Sequence, residues 1–283
     1  MATHDDATAP SALALLRGRE VELVLAVRPW HVVGLGEVVR RVAGEGVALS
    51  LWPMLGDEDG RFLHAGNVAR MRALVARVLA AAMPSASALK PEPRLDVMLD
   101  LEPPVDTLRA LAHWRLGPAA LAAAAAFAAS ERNDRAARAL VTDIQRAGAT
   151  VSVAVMPHVV LPGGRALSRL AAVPTLAGTD SVDLMLYRTL AQGYARGLVS
   201  RQRALRWLGH LSSRAVNEGM RIALGCVGTG ALGDEATYSS PADLADDVRV
   251  ARGRGATAFA LFEWSAILRR GPAEAWLDAV LAT

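Results

Sequence analysis

Seven short runs rich in β-branched residues and leucine, separated by amphipathic segments, constrain this chain more than any other feature. They fall at 20–28, 46–53, 94–102, 150–157, 182–188, 221–227 and 257–264. Each is short enough for a strand of a parallel sheet, where both faces are covered and alternation gives way to near-continuous apolar character. Helical periodicity fills the gaps at 36–43, 67–82, 134–147, 200–217 and 241–252, and a last helical segment at 272–281 closes the chain. Such alternation requires right-handed crossovers, which curl a parallel sheet into a barrel or leave it open and doubly wound. With 283 residues, 52% of them hydrophobic, the chain matches the size of one (β/α)8 barrel, and no Pro/Gly/Ser linker divides it. The expected fold is α/β: a (β/α)8-type TIM barrel over 11–283, with either seven clear strands or a degenerate first strand at 11–18. A missing strand can also be completed by another chain, so a homo-oligomer is an open expectation. Residues 1–10, polar and aperiodic, are expected to be disordered.

Several boundaries carry their own signal. Ser240 precedes Pro241 and an early acid, the pattern of an N-cap with proline at the first helical position. Gly148 and Gly255 stand where helices must stop before strands. The stretch 104–147 exceeds one crossover and reads as two helices broken at Gly117-Pro118.

Net charge is only +3, and the arginines (Arg70, Arg72 and Arg77, for example) are spread along helices with no aromatic-interleaved stripe. Nucleic acid is therefore not an expected partner. Cys226 is the single cysteine, which excludes an internal disulfide and a cysteine zinc site; within its apolar run it reads as a buried thiol. No run of about 18 uncharged apolar residues is present, so no membrane span is expected. The acidic start, without a basic segment and apolar stretch, points to a cytoplasmic protein.

In a parallel barrel the chemistry belongs to the carboxyl ends of the strands. Those ends read Arg28-Pro-Trp30-His31, Trp52-Pro53, Asp100-Leu-Glu102, Met156-Pro-His158, Tyr187-Arg188, Gly228-Thr-Gly230 and Glu263-Trp264. Three of the six tryptophans, a tyrosine, two histidines and three acids gather there. Aromatic faces beside carboxylates suit carbohydrate, so the expected partner is a small oligosaccharide or glycoside. Candidate binding residues are Trp30, Trp52, Asp96, His158, Arg188, Glu263 and Trp264.

The run Leu95-Asp-Val-Met-Leu-Asp-Leu-Glu102 is the sharpest signal. Strand alternation places Asp96, Met98, Asp100 and Glu102 on one face and Leu95, Val97, Leu99 and Leu101 on the other. The leucine face must meet helices, so the acids point inward. Inward acids are costly to bury without partners, and crowding raises at least one pKa, which is how a carboxylic acid stays protonated near neutral pH.

Asp100-Leu-Glu102 resembles the end of the acid strand of family 18 glycoside hydrolases, the chitinase-like barrels. The segment 182–187, with Met185 and Tyr187, resembles that family's Met-x-Tyr strand; 221–225 resembles the glycine-ended strand after it; Phe262-Glu-Trp264 resembles the final one. The resemblance covers roughly residues 94–265. Leu95 and Met98 stand where the family pattern has its earlier acids. What the resemblance implies is substrate-assisted retaining hydrolysis of an N-acetylated amino sugar without cofactor. Glu102 would be the acid, Asp100 would orient the acetamido group, Tyr187 would hydrogen-bond its oxygen and Trp264 would stack beneath the sugar.

Other readings stay open. A non-catalytic glycan-binding barrel uses the same residues without turnover. His31 and His158 with Asp100 and Glu102 would make a divalent-metal hydrolase or isomerase, although no HxH or HExxH spacing supports it. Glu263 would serve as a second carboxylate only if it, rather than Trp264, points inward. The Gly225–Gly230 segment reads as a turn rather than a phosphate loop, and Asp57-Glu-Asp-Gly60 as a solvated loop rather than a calcium site.

Overall fold

The apolar runs become strands because each presents side chains that two layers can cover. The computed structural model describes residues 4–86, 95–112, 117, 130–174, 177–195, 197–230 and 233–282. Among these, seven strands occur on the runs read above: β1 Glu22–Val27, β2 Ala48–Pro53, β3 Asp96–Leu101, β4 Thr150–Val155, β5 Ser181–Met185, β6 Arg221–Gly225 and β7 Phe259–Phe262. They lie in one sheet in chain order, and β1–β2, β2–β3, β5–β6 and β6–β7 pair in parallel. The contacts divide the chain into two compact units, one of His4–Ala154 with Gly163–Ser181, the other of Val155–Pro162 with Val182–Thr283.

In the first unit, the outward side chains of β1 (Leu23, Leu25, Val27), β2 (Leu49, Leu51) and β3 (Val97, Leu99, Leu101) are all buried. Facing helices supply complementary stripes: Val38, Val39 and Val42 from Leu35–Gly44, Met71, Leu74 and Val78 from Val68–Ala86, Leu140 and Ile144 from Ser130–Arg146. The spacing of three and four residues is what a helix needs to bury one side. The inner face carries polar groups beside apolar ones. Ser50 Oγ, Thr150 Oγ1 and Ser152 Oγ donate to Asp96 at 2.6, 2.9 and 2.5 Å, tying β2, β3 and β4 together at the amino end of β3. The expected in–out alternation of the acid strand is therefore present.

The second unit carries β5 to β7 and the helices Arg201–Asn217, Pro241–Arg252, Trp264–Arg270 and Ala273–Leu281. Ser200 Oγ accepts the Arg203 N–H and Ser240 Oγ the Asp243 N–H, each at 3.3 Å, so both helices begin at a side-chain cap. Gly148 and Gly255 have φ of +90° and +93°, the left-handed geometry that ends their helices at little steric cost.

Two expectations need correction. Residues 11–18 supply no degenerate strand: Pro10–Leu16 is a helix, with Pro10 at its start and Ala12, Leu13 and Leu16 buried at helical spacing. Part of the segment expected to be disordered is ordered, since His4–Ala7 is a helical turn and Thr8 is fully buried. The proposed break at Gly117-Pro118 lies largely outside the described residues. Among the described residues, no helix is long and apolar enough to cross a membrane.

A buried ionic network pins the start of the connection after β5. Arg188, only 2% exposed, donates through Nε to Asp247 (2.6 Å) and through Nη2 to Asp243 (2.7 Å), and also bonds Gln192. Tyr238 Oη donates to the other Asp247 oxygen at 2.7 Å. Removing one member strands the rest in low dielectric. Asp247→Ala is expected to cost about 3–5 kcal/mol in urea unfolding. Asp246→Ala, which breaks partly exposed pairs with Arg201 and Arg249, should cost about 0–1 kcal/mol.

Candidate active site

β3 ends at Leu101 because Glu102 is followed by two prolines, which lack the N–H a ladder requires. Its carboxyl end is not paired with β2. The β2–β3 register covers only Ser50↔Asp96 and Leu51↔Val97, after which β2 leans to β1 through Met54 N–H to Val27 O at 2.9 Å. The space is taken by residues 61–64. Leu63 donates its N–H to the Asp100 carbonyl at 2.9 Å and forms a parallel bridge with Leu101. Buried Asn67 fixes this insertion, donating to the carbonyls of Asp59 (3.0 Å) and Phe62 (2.7 Å) and accepting from His64 N–H (3.0 Å).

Asp100 lies on the inner face of β3 and is 4% exposed, and its Oδ1 has no hydrogen-bond partner among the described residues. Burial penalises the charged form and pushes its pKa up to about 8. At neutral pH this carboxyl is therefore protonated. Glu102, two residues on and on the same side by alternation, is half-buried. A neutral carboxylic acid thus stands beside an accessible one at a strand end.

Since β1, β2 and β3 run parallel, their carboxyl ends lie on one side of this unit. β2 brings half-buried Trp52, in register with Ala26 of β1. After β1, the buried Arg28 reaches Asp57 at 2.8 Å and sits 4.9 Å from the centroid of the Trp30 ring. Trp30 is 60% exposed, an indole held from one side and open to solvent. Asp57 also takes both ends of the Arg61 fork at 3.0 and 2.6 Å; hydrogen bonds from Arg61 and then Arg28 hold its carboxyl far below the usual range. This acid, read from sequence as part of a solvated loop, is the anchor of the inserted segment.

Asp96 does not join Asp100 and Glu102. It lies at the opposite end of β3, with both oxygens occupied by three hydroxyls, and it is a structural acid rather than a ligand for substrate. Arg188 is likewise withdrawn from the binding set, because its guanidinium is buried among Asp247, Asp243 and Gln192. Sequence alone shows the residue at a strand end but not the acids of Pro241–Arg252 that claim it.

In the other unit, Tyr187 ends the segment after β5, half-buried, with its ring near parallel to that of Phe262, 10° apart in plane and 6.1 Å between centroids. His158 lies in the single-turn helix Pro157–Val160, where burial lowers its pKa. Glu263 precedes the helix that Trp264 opens, and its carboxylate pairs with Arg269 at 3.2 Å. Trp264 therefore belongs to a helix start rather than to the end of β7.

His64 was not signalled by the sequence. It sits in the inserted segment directly after the residue that bridges β3, and it is buried, with Nδ1 accepting the Gly66 N–H at 3.1 Å. Burial first, and Arg70 second, lower its pKa to about 4, so it is neutral. No local pattern reveals it, because the bridge to Leu101 is non-local. Among the described residues, no group of three or more His, Cys, Asp or Glu is placed to hold a metal ion.

The strand order, the alternating helices and the polar groups at strand carboxyl ends define a TIM-barrel-like α/β protein. Among solved structures, the chain is similar to the glycoside hydrolase domain of PgaB (BpsB) from Bordetella bronchiseptica, with a TM-score of 0.54 and 12% sequence identity over 95% of this chain and 90% of that one. At this identity the likeness is one of fold. No protein-family model matches the chain, and no curated protein matches it.

The Asp100 carboxyl makes a signed prediction for stability. Its pKa is raised on folding, from an unfolded value of about 3.9. The native state then holds a proton that the unfolded state has released, so Asp100 lowers stability progressively as pH rises from about 4 to about 8. Asn mimics the neutral acid. The stability of wild type relative to Asp100→Asn should fall across that window in denaturant titrations; a constant difference between pH 5 and pH 8 would show that Asp100 is ionised throughout.

Proposed function

We propose that the protein is a glycoside hydrolase that cleaves an N-acetylated amino sugar or related glycoside with retention, assisted by the substrate's acetamido group. The observation that carries this reading is the buried Asp100 carboxyl, its Oδ1 without a donor among the described residues, beside half-buried Glu102 at the end of β3. Support also comes from the fold shared with a glycoside hydrolase domain and from the sequence resemblance to the chitinase-like barrels.

Glu102 gives its proton to the glycosidic oxygen as the bond to the anomeric carbon breaks, and the acetamido oxygen closes on that carbon. No second protein nucleophile is required. Asp100 begins neutral, so its O–H can orient the acetamido group. It keeps that proton as positive charge develops on the cyclised intermediate, and its carbonyl oxygen accepts the hydrogen bond of the acetamido N–H. Water activated by ionised Glu102 then opens the intermediate and regenerates the acid. Tyr187 and Trp264 enter this proposal through the resemblance, as partner of the acetamido oxygen and as a stacking surface. Trp30 and Trp52 add indole faces at the strand ends of the first unit.

The decisive experiment measures turnover of an N-acetylglucosaminide with an activated leaving group. Glu102→Gln is expected to abolish turnover while leaving the unfolding transition unchanged, and full activity in the folded variant would remove the proposal. Glycan binding by calorimetry without product release from wild type would replace hydrolysis by recognition. The Asp100 proton sets a second expectation: kcat falls as pH rises through about 8, and Asp100→Asn, which stays neutral, loses that limb.

A further inference from the structure

Trp30 is the one aromatic side chain among the described residues that is exposed, and it is held rather than loose. The single-turn helix Pro29–His31 that carries it is closed on itself. His31 donates its N–H to the Arg28 carbonyl at 2.9 Å, and His31 Nδ1 accepts the Arg28 N–H at 3.3 Å. Arg77 Nη2 donates to the Pro29 carbonyl at 3.3 Å, which ties the turn to the helix Val68–Ala86. The indole has the Arg28 guanidinium over one face, 4.9 Å from the ring centroid, and the His31 ring at 75° to it, with centroids 5.7 Å apart.

Arg28 is fixed in its turn. It is buried, its Nη2 donates to Asp57 Oδ1 at 2.8 Å, and Asp57 is gripped by the Arg61 fork at 3.0 and 2.6 Å. The chain Arg61–Asp57–Arg28 therefore backs the indole from the protein side and leaves the opposite face to solvent. Such a ring has given up rotamer freedom without covering its open face. A ligand that lays a flat apolar surface there gains the stacking with little further ordering, as on the rigid aromatic anchors of binding sites. The C–H face of a pyranose is a surface of that kind.

Position narrows the role. Trp30 follows β1 and Glu102 follows β3, in the same unit and on the same side of its sheet. Between those ends stand β2 and the inserted residues 61–64. Neighbouring segments of a sheet lie about 5 Å apart, so the Trp30 turn begins roughly 10–15 Å from the end of β3. That is too far to touch the ring whose bond Glu102 protonates, and within reach of a ring further along the same chain. We infer that Trp30 is a stacking platform for a distal sugar ring, positioned by Arg28 and Asp57, and that the ligand is an oligosaccharide chain rather than a monosaccharide glycoside. The inference rests on the hydrolase reading above for the chemistry of its ligand.

The test measures binding of N-acetylglucosamine and of its β-linked oligosaccharides of increasing length, by calorimetry and tryptophan fluorescence, in the folded Glu102→Gln protein, where no chain is cleaved. The readout is the ratio of long-chain to monosaccharide affinity. Adding Trp30→Ala is expected to lower that ratio about tenfold, the scale of one aromatic stacking contact, and Trp30→Tyr, which keeps a flat ring, to restore most of it. Asp57→Ala should lower it by a smaller factor, and by less than about twofold in a Trp30→Ala background, because the ring it helps to hold is then absent. A variant that only loses stability weakens both ligands alike and leaves the ratio intact. If Trp30→Ala keeps the parent ratio, or instead dissolves a self-association seen by light scattering, the platform is overturned, while turnover in wild type and its loss in Glu102→Gln leave the hydrolase standing. If wild type turns over no substrate and the ratio still falls in Trp30→Ala, hydrolysis fails and the platform remains as part of a glycan-binding surface. If no oligosaccharide binds better than the monosaccharide, the platform is overturned as well.

Discussion

A strand that carries carboxyl groups on its inner face must give each of them either hydrogen-bond donors or a proton. β3 does both. At its amino end, Asp96 is surrounded by hydroxyls of Ser50, Thr150 and Ser152, which satisfy it and stitch three strands together. Four residues later Asp100 has no donor for Oδ1 among the described residues, and burial favours its protonated form. One strand thereby holds an acid satisfied by hydroxyls and one buried without such donors, told apart only by their surroundings. The leucine and valine side chains of the opposite face lock the register, since a slip of one residue would turn every acid toward the helices.

Each unit uses arginine to fix the segments that follow its strands. In the first, Arg28 and Arg61 share Asp57, and Asn67 binds the carbonyls of the insertion that reaches β3. In the second, Arg188 is consumed by Asp247 and Asp243, while Thr189 clips β6. These contacts hold the loops at the strand ends. Buried pairs of this kind gain little over an apolar core, yet losing one partner is costly, and this keeps the arrangement intact.

Much of the fold was legible locally. The seven strands fall on the seven runs, the helix 241–252 begins and ends where Ser240, Pro241 and its apolar spacing place it, and the in–out alternation of β3 follows from period two. The reading failed where the same residues satisfy two patterns. Residues 11–18 are apolar enough for a strand, but Leu13 and Leu16 at a spacing of three bury a helix better. Arg188 and Asp96 sit in positions that read as functional, and each is claimed by partners 46 or more residues away in sequence.

The amino-acid sequence by itself determined the alternation of elements, the apolar outer face of each strand and the presence of Asp100 and Glu102 at the end of one of them, because periodicity and chain breakers act within a few residues. Tertiary structure alone decided which polar groups find donors, that residues 61–64 rather than β2 pair with the end of β3, and that Asp57 holds the Arg28 guanidinium that lies over Trp30. Those outcomes depend on which distant segments become neighbours, and the free energy of a buried charge is set by those neighbours, not by the residue that bears it.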